Sequence, residues 1–280
     1  MSATTHHAPL HELLARAVER RRELLALPDT NVARLFDADG DGAPGLVIER
    51  LGPALIVQIH IGRFGRDEDE LRAAVETLLG TLGARGAYRK YFPRDRTRLA
   101  PDLEQQNRAA APWTGQPLDP EIEVLEHGRR FLVHPFDGFS TGLFLDHRER
   151  RNLVAKLGTG RNVLNAFSYT CGFGVAGGLS GAASVVNVDI SRRYLEWGKR
   201  NLALNQITLD TQRFICSDVI DYYKRARRQS TNFDLIILDP PTFARTGRAG
   251  QVFSVIEQMA NLLDGALSIL AYPGTVLLSA

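Results

Sequence analysis

The stretch Asn165-Ala-Phe-Ser-Tyr-Thr-Cys-Gly-Phe-Gly174 decides how the second half of the chain reads. It ends an apolar run that begins at residue 162, breaks into small and polar residues, and leads into a helical pattern. A buried strand turning into a helix has that form. The alternation repeats outward from this point. A helix is predicted over 146–157, with Gly158 beyond its end. Strands are predicted over 162–167, 184–189, 212–216, 234–239 and 275–279, and helices over 174–180, 191–204, 218–227 and 252–270. Strands alternating with helices at this spacing predict a doubly wound parallel α/β sheet.

Ligands of such sheets bind outside the carboxyl ends of the strands, and these ends carry chemistry. The first loop holds Gly172 and Gly174 but not the full G-x-G-x-x-G of a dinucleotide site, which disfavours a nicotinamide enzyme. A loop of Ser168, Tyr169 and Thr170 with limited glycine suits a ligand without pyrophosphate. Asp189, at the end of the second strand, can accept from ribose hydroxyls. Asp218, after the third, can accept from an adenine amino group. Both also precede helices and could cap them. Taken in order, the two acids describe an adenosine ligand without phosphates, which points to S-adenosylmethionine. Asp239-Pro240-Pro241-Thr242-Phe243 follows the fourth strand. Two prolines there stop the ladder and build a stiff wall. Asp239 would sit near a transferable methyl and Phe243 would offer a face to a base. A purely structural tight turn is the alternative.

The first half changes character. Residues 10–27 place Leu10, Leu13, Leu14, Ala17, Val18, Leu24 and Leu25 at helical spacing, and Pro28 ends the run. Asp37 to Gly45 is an acidic turn cluster, but the Glu and flanking helices of a calcium-binding EF-hand loop are missing. Leu46 to Glu49, Leu55 to Ile61 and Ala87 to Phe92 read as strands, and 67–82 as a helix. Residues 99–120 look like a connector, and His127-Gly128 joins two short strands as a hairpin. The predicted organisation is an N-terminal helix (1–29), a small α+β module (30–135) and the α/β domain (136–280).

Net charge is +2, so no global footprint for nucleic acid exists. Phosphate binding needs local density instead. Arg85, Arg89, Lys90, Arg94, Arg96 and Arg98 form one such run and Lys224, Arg225, Arg227 and Arg228 a second, a solvated charged face being the alternative for each; Arg89, Lys90, Arg94 and Arg96, with Arg245 and Arg248 of the short basic loop after the Asp-Pro-Pro element, are the candidate RNA contacts.

Several motifs together carry a family resemblance: Ser140-Thr-Gly-Leu-Phe-Leu-Asp-His-Arg148, Leu164-Asn-Ala-Phe-Ser-Tyr-Thr170, Val188-Asp-Ile-Ser-Arg-Arg-Tyr-Leu-Glu-Trp197, Arg200-Asn-Leu-Ala-Leu-Asn205 and Asp239-Pro-Pro-Thr-Phe243. In this order they resemble the class I S-adenosylmethionine-dependent methyltransferases of large-subunit (23S) rRNA, of the RlmK-like and RlmI-like kinds. The resemblance covers about residues 30–280 and is weakest before 120. It implies a Rossmann-like sheet with S-adenosylmethionine as cofactor and rRNA as partner. By it, Ser168, Tyr169, Thr170 and Gly172 line the methionine side, with Asn165 beside them. Asp189 meets the ribose and Asp218 the adenine, with Ile190 and Ser217 also at the cofactor. Asp146 and Arg148 stand at the pocket edge. Asp239, Pro240, Pro241 and Phe243 form the methyl-transfer end. The small module would help hold RNA. Cys171 stands where relatives have Gly and is expected to be a packed residue rather than a reactive thiol. No segment corresponds to the extra N-terminal RNA-binding domain of RlmI-like enzymes.

Guanine N7 has an exposed lone pair and needs no base, whereas cytosine C5 needs a cysteine to add first. Neither Cys171 nor Cys216 falls in the Asp-Pro-Pro element, so guanine N7 is favoured and cytosine C5 stays open. A non-catalytic RNA-binding or ribosome-assembly module that keeps the pocket is a further alternative. Two cysteines build no disulfide framework or zinc site. No apolar run of membrane-spanning length and no leader pattern are seen, so a cytoplasmic protein without membrane or metal is expected. Related sheets continue past the fifth strand. A fragment, or a sheet edge closed by a partner, is therefore expected at the end of the 280 residues.

Overall fold

A computed structural model describes residues 8–93, 101–241, 243–245 and 252–279, with residues 243–245 and 252–257 described by their backbone. The chain divides into two compact units. One holds residues up to Gly128 together with Leu132–Leu145, and the other holds Arg129–Phe131 and the chain from Asp146 onward.

The first unit opens with α1 (Leu10–Arg20) and a short α2 (Arg22–Leu25). The single helix predicted over 10–27 is broken at Arg21, which leaves helical geometry. Its guanidinium forks onto the buried Asp41 at 2.7 and 3.2 Å, and Arg20 meets the same carboxylate. The acidic turn is thus anchored by cations of α1. Then follow β1 (Val32–Asp37), α3 (Ala38–Asp41), β2 (Leu46–Leu51), β3 (Ala54–His60), α4 (Glu68–Leu82), β4 (Gly86–Phe92), α5 (Pro101–Gln106) and β5 (Thr114–Gly115). Strand β1 was not foreseen in the sequence. The sheet order is β1-β2-β3-β4-β5, antiparallel except where α4 crosses between β3 and β4. Asp67 caps α4 by accepting from the Glu70 amide, and Gly83 ends it at φ 61°. Leu10, Leu14 and Ala17 of α1 pack into the same core as Phe36, Ile48, Leu55, Val57, Leu71 and Val75. The two-stranded hairpin of β6 (Ile122–Glu126) and β7 (Arg129–Val133) turns through His127 and Gly128, both at positive φ. That is the backbone a type I′ turn requires.

The second unit runs α6 (Arg148–Leu157), β8 (Asn162–Ala166), α7 (Gly172–Leu179), β9 (Ser184–Asp189), α8 (Arg192–Leu204), β10 (Gln212–Cys216), α9 (Val219–Arg228), β11 (Phe233–Leu238), β12 (Phe243–Arg245), β13 (Val252–Ser254), α10 (Val255–Leu267) and β14 (Leu270–Leu278). Strands β10-β9-β8-β11-β14 form one parallel sheet in that order. A sheet covered on both faces needs apolar side chains in both directions, and this one has them. Val163, Val185, Leu235 and Ile237 pack with Phe173 and Ala176 on one side. Leu164, Ala166, Val186, Val188, Ile236 and Leu238 pack with Tyr222, Tyr223, Leu262 and Ala266 on the other.

Two predicted elements shift. The helix predicted over 252–270 begins at Val255, because 252–254 pair antiparallel with 243–245. The last strand starts at Leu270, but its register jumps from Leu270 to Thr275 opposite Phe233 and Leu235. Pro273 has no amide to give the ladder, so the intervening residues loop out of register on this outer strand.

Candidate functional site

Strand β8 is the point from which the chain crosses one way to β9 and β10 and the other way to β11 and β14. A crevice forms outside the carboxyl ends at such a switch point. The loop leaving β8 carries unusual backbone. Phe167, Tyr169 and Cys171 all have positive φ, at 58, 47 and 61°. Each such non-glycine residue stores about 1–3 kcal/mol of strain that the surroundings must hold. The holding contacts are visible. The Ser168 amide donates to the Val188 carbonyl at 2.9 Å, and the Tyr169 amide donates to Asp189 Oδ2 at 2.8 Å. Asn201 of α8 donates to the Thr170 carbonyl at 3.0 Å. The Tyr169 ring meets Tyr194 edge-on, with centroids 4.5 Å apart.

Asp189 holds this loop and the next one together. Its Oδ1 accepts from the Ser191 amide at 2.8 Å while Oδ2 takes Tyr169. Burial pushes its carboxyl above the usual range, and the amides of Ser191, Tyr169 and Ile190 pull it back. Asp189 is not the cap of α8; Ser191 is. Beside it Ile190 is 49 % exposed, an uncovered apolar side chain at the mouth of the strand ends. Asp218 does cap α9, accepting from the Ile220 and Asp221 amides through Oδ1. Its other oxygen makes neither of those two bonds, and Ser217 stands next to it, partly exposed.

Three of the residues expected at the ligand are buried. Asn165 was expected beside the ligand but is fully buried, and its amide donates to Asn187 at 2.9 Å, which in turn donates to Gln212 at 3.2 Å. It belongs to an amide ladder running across β8, β9 and β10. Ser168 and Thr170 are also buried, and the Ser168 hydroxyl accepts from the Cys171 thiol at 3.8 Å. Cys171 is buried in the packed state expected of it. Burial pushes its thiol up to about 12.

At the end of β11, Pro240 is buried, Pro241 exposed and Asp239 partly covered. Asp239 is not alone. His147 Nε2 lies 3.7 Å from its Oδ2 and 4.0 Å from Asp146 Oδ2, while His147 Nδ1 lies 3.2 Å from Ser279 Oγ. The imidazole edge rests on Phe173, with centroids 5.7 Å apart. Burial raises the Asp239 carboxyl; His147 and a hydrogen bond from Ser279 lower it, Asp146 raises it and Arg150 lowers it. Neither His147 nor Ser279 was singled out from the sequence. His147 lay unremarked between Asp146 and Arg148, and only the parallel pairing of β14 with β11 brings Ser279 near. Arg148 is buried at the start of α6.

The basic residues fare differently. Lys90 was expected to touch RNA, but it is 1 % exposed, and its Nζ donates to the Gly138 carbonyl at 2.7 Å. Its alternate position on β4 points it inward. Arg89 is bonded to Glu68 at 2.7 Å and stacks on Tyr91 and Trp113. Arg94, Arg96 and Arg248 lie outside the described residues, as do the side chains of Phe243 and Arg245.

A family model described as S-adenosylmethionine-dependent methyltransferase matches residues 41–280. The chain belongs to that family. Among its relatives, the ribosomal RNA large subunit methyltransferase K of Neisseria meningitidis serogroup B is 36 % identical over 188 residues, covering 67 % of this chain and 53 % of that protein. The ribosomal RNA large subunit methyltransferase K/L of Alteromonas mediterranea is 32 % identical over 267 residues, covering 95 % and 37 %. The chain therefore spans about half or less of these two methyltransferases. Among solved structures, SMU.776, described as a methyltransferase complexed with SAH, superposes with a TM-score of 0.83 at 27 % identity, covering 99 % of this chain and 68 % of that one. A class I methyltransferase sheet of the expected Rossmann-like kind is thus the fold. No helix among the described residues is long and apolar enough to cross a membrane.

Proposed function

We propose that this chain binds S-adenosylmethionine at the carboxyl ends of β8 to β11 and transfers its methyl to a base of large-subunit (23S) rRNA, with guanine N7 the favoured atom. One observation carries the proposal: Asp189, Asp218 and Asp239 end β9, β10 and β11 around the strained loop of β8. The donor set fits the cofactor. Asp189 is held by amides with lone pairs to spare for ribose hydroxyls, Ile190 offers an apolar surface to a purine, and Gly172 and the 167–171 loop leave backbone groups for the methionine end. Asp146 and Arg148, on either side of His147 in the sequence, are assigned to the pocket edge. When bound, the cofactor supplies an electrophilic methyl on sulfur. The protein's part is then positioning and electrostatics. Pro240 and Pro241 fix the wall against which the base rests, and Asp239 offers an acceptor to the N–H edge of a guanine.

The names of the relatives support rRNA as substrate, and a cytoplasmic protein is the reading that goes with it. The first unit is the proposed RNA-holding module. Cytosine C5 is disfavoured within this chain because Cys171 is buried with a thiol that stays protonated, and Cys216 ends β10. At roughly 4.8 Å per strand, three steps separate that strand end from β11, or about 14 Å. Mass mapping of 23S rRNA incubated with the purified protein and labelled cofactor tests the assignment. A label on guanine, with backbone scission by reduction and aniline, is the expected result. Label on cytosine, or no cofactor binding by calorimetry, refutes it.

A further inference from the structure

We propose that His147, fixed by Ser279, is a positioning residue that holds Asp239 as the hydrogen-bond acceptor of the methyl-transfer end. This deepens the proposed function and rests on Asp239 being that acceptor.

The geometry is a relay of three groups from three elements. His147 precedes α6, Asp239 follows β11 and Ser279 follows β14. Ser279 Oγ meets His147 Nδ1 at 3.2 Å, and the opposite nitrogen faces Asp239 Oδ2 at 3.7 Å. Ser279 is buried. A hydroxyl held on Nδ1 selects how the ring is oriented and which nitrogen faces the carboxylate. Phe173 of α7 supports the ring edge-on. Groups that face the ring include Asp146 on its own turn, Asp239, Ser279 and Phe173, with Arg150 of α6 acting on Asp239.

The need for such a partner follows from burial. A covered carboxyl tends to take up a proton, and a protonated carboxyl is a donor on one oxygen and a poor acceptor. The Asp239 carboxyl feels this desolvation most strongly, and the imidazole and the Ser279 hydroxyl oppose it. An N–H edge of a purine needs an ionised acceptor at full strength. Removing the imidazole should therefore let Asp239 protonate at higher pH and shift the acidic limb of methyl transfer upward.

The test measures the pH profile of kcat between pH 5 and 9 for the full chain and for His147→Ala, His147→Gln, Ser279→Ala and Asp239→Asn, using large-subunit rRNA and labelled cofactor. The cofactor Kd of each is read by calorimetry. Expected are an acidic limb moved up by about one pH unit, a tenfold change in the carboxyl equilibrium, in His147→Ala; a smaller move in Ser279→Ala; and partial rescue in His147→Gln. The cofactor Kd should stay within about threefold, which a general loss of structure would not allow. An unmoved limb in His147→Ala, with Asp239→Asn inactive, overturns this inference and leaves the proposed function standing. Full activity in Asp239→Asn instead removes the acceptor role on which it rests. A second reading needs neither a folded His147 variant nor turnover. At one fixed pH, the imidazole NMR signals of His147 should differ between the unmodified protein and Asp239→Asn, because the carboxylate faces the ring. Identical imidazole signals in the two proteins refute the contact.

Discussion

The sulfur of Cys171 occupies the space that a Cβ on Gly198 would need. Helix α8 can therefore lie against the strained loop of β8 only because residue 198 has no side chain. Helix propensity alone favours Gly198→Ala by about 1 kcal/mol. Here overpacking against a fully buried sulfur, with the Thr170 backbone also close, should win by about 1–3 kcal/mol. Urea unfolding of Gly198→Ala should show a net loss of stability. Adding Cys171→Ala should return part of it, since the two changes share one contact.

The amide ladder predicts a larger effect. Asn187 takes the Asn165 donor and gives its own to Gln212, and its Oδ1 also blocks any Cβ at Gly174. Asn187→Ala would leave two buried amides without their partner. At about 1–3 kcal/mol for each unsatisfied group, the loss should reach roughly 2–6 kcal/mol. Thermal unfolding of the variant checks it, and a change below about 1 kcal/mol would show that water replaces the lost bonds.

The strand-end positions of the candidate site were legible in the sequence and some side-chain placements were not, for definable reasons. The β8 loop, Asp189, Asp218 and Asp239 could be placed because a parallel sheet sends every loaded strand end to the same side. Period alone does not say which face a polar strand residue takes, so Asn165 read as a ligand contact although it stands beneath α7. Lys90 read as surface charge for the same reason: a basic run is solvated only where the strand pleat points outward. His147 and Ser279 escaped notice because they are far apart in sequence, and only the β11–β14 pairing makes them neighbours. The outward looping around Pro273 and the hairpin ahead of α10 blurred the last two elements.

Lys90 carries a prediction of pH dependence. Burial lowers its ammonium to about 7, partly offset by Asp137 and Glu49. An unfolded chain holds that proton until about pH 10.5, so between about 7 and 10.5 the unfolded state binds more protons than the folded one. Folding stability contributed by this residue should rise across that window and be lowest below pH 7. Lys90→Met removes the titration. The stability difference between the variant and the unmodified protein should favour the variant most at pH 6.5 and shrink by pH 10, as urea midpoints can show. RNA affinity should stay unchanged, because the ammonium is not at the surface.

Asp189→Asn tests the cofactor end. The carboxylate receives amides on both oxygens. An asparagine keeps one acceptor and turns an NH2 group toward an N–H. The β8 loop should loosen by about 1–3 kcal/mol, and the affinity for S-adenosylmethionine should fall at least about tenfold in calorimetry. An unchanged Kd would remove Asp189 from the site.

The two thiols should separate cleanly. Cys171 is buried with its thiol pushed up to about 12, whereas Cys216 is exposed. Reactivity belongs to the thiolate and to access, so a thiol reagent should modify one cysteine quickly in the folded protein and the second only after unfolding. Cys216 bonds the Ile190 carbonyl at 3.4 Å, next to the proposed adenine surface. S-Adenosylmethionine should therefore slow its modification, and peptide mass mapping can read both rate and position. Cys216→Ser should keep methyl transfer. If that substitution abolished transfer while cofactor binding survived, a cysteine-adduct route to cytosine would displace the guanine assignment.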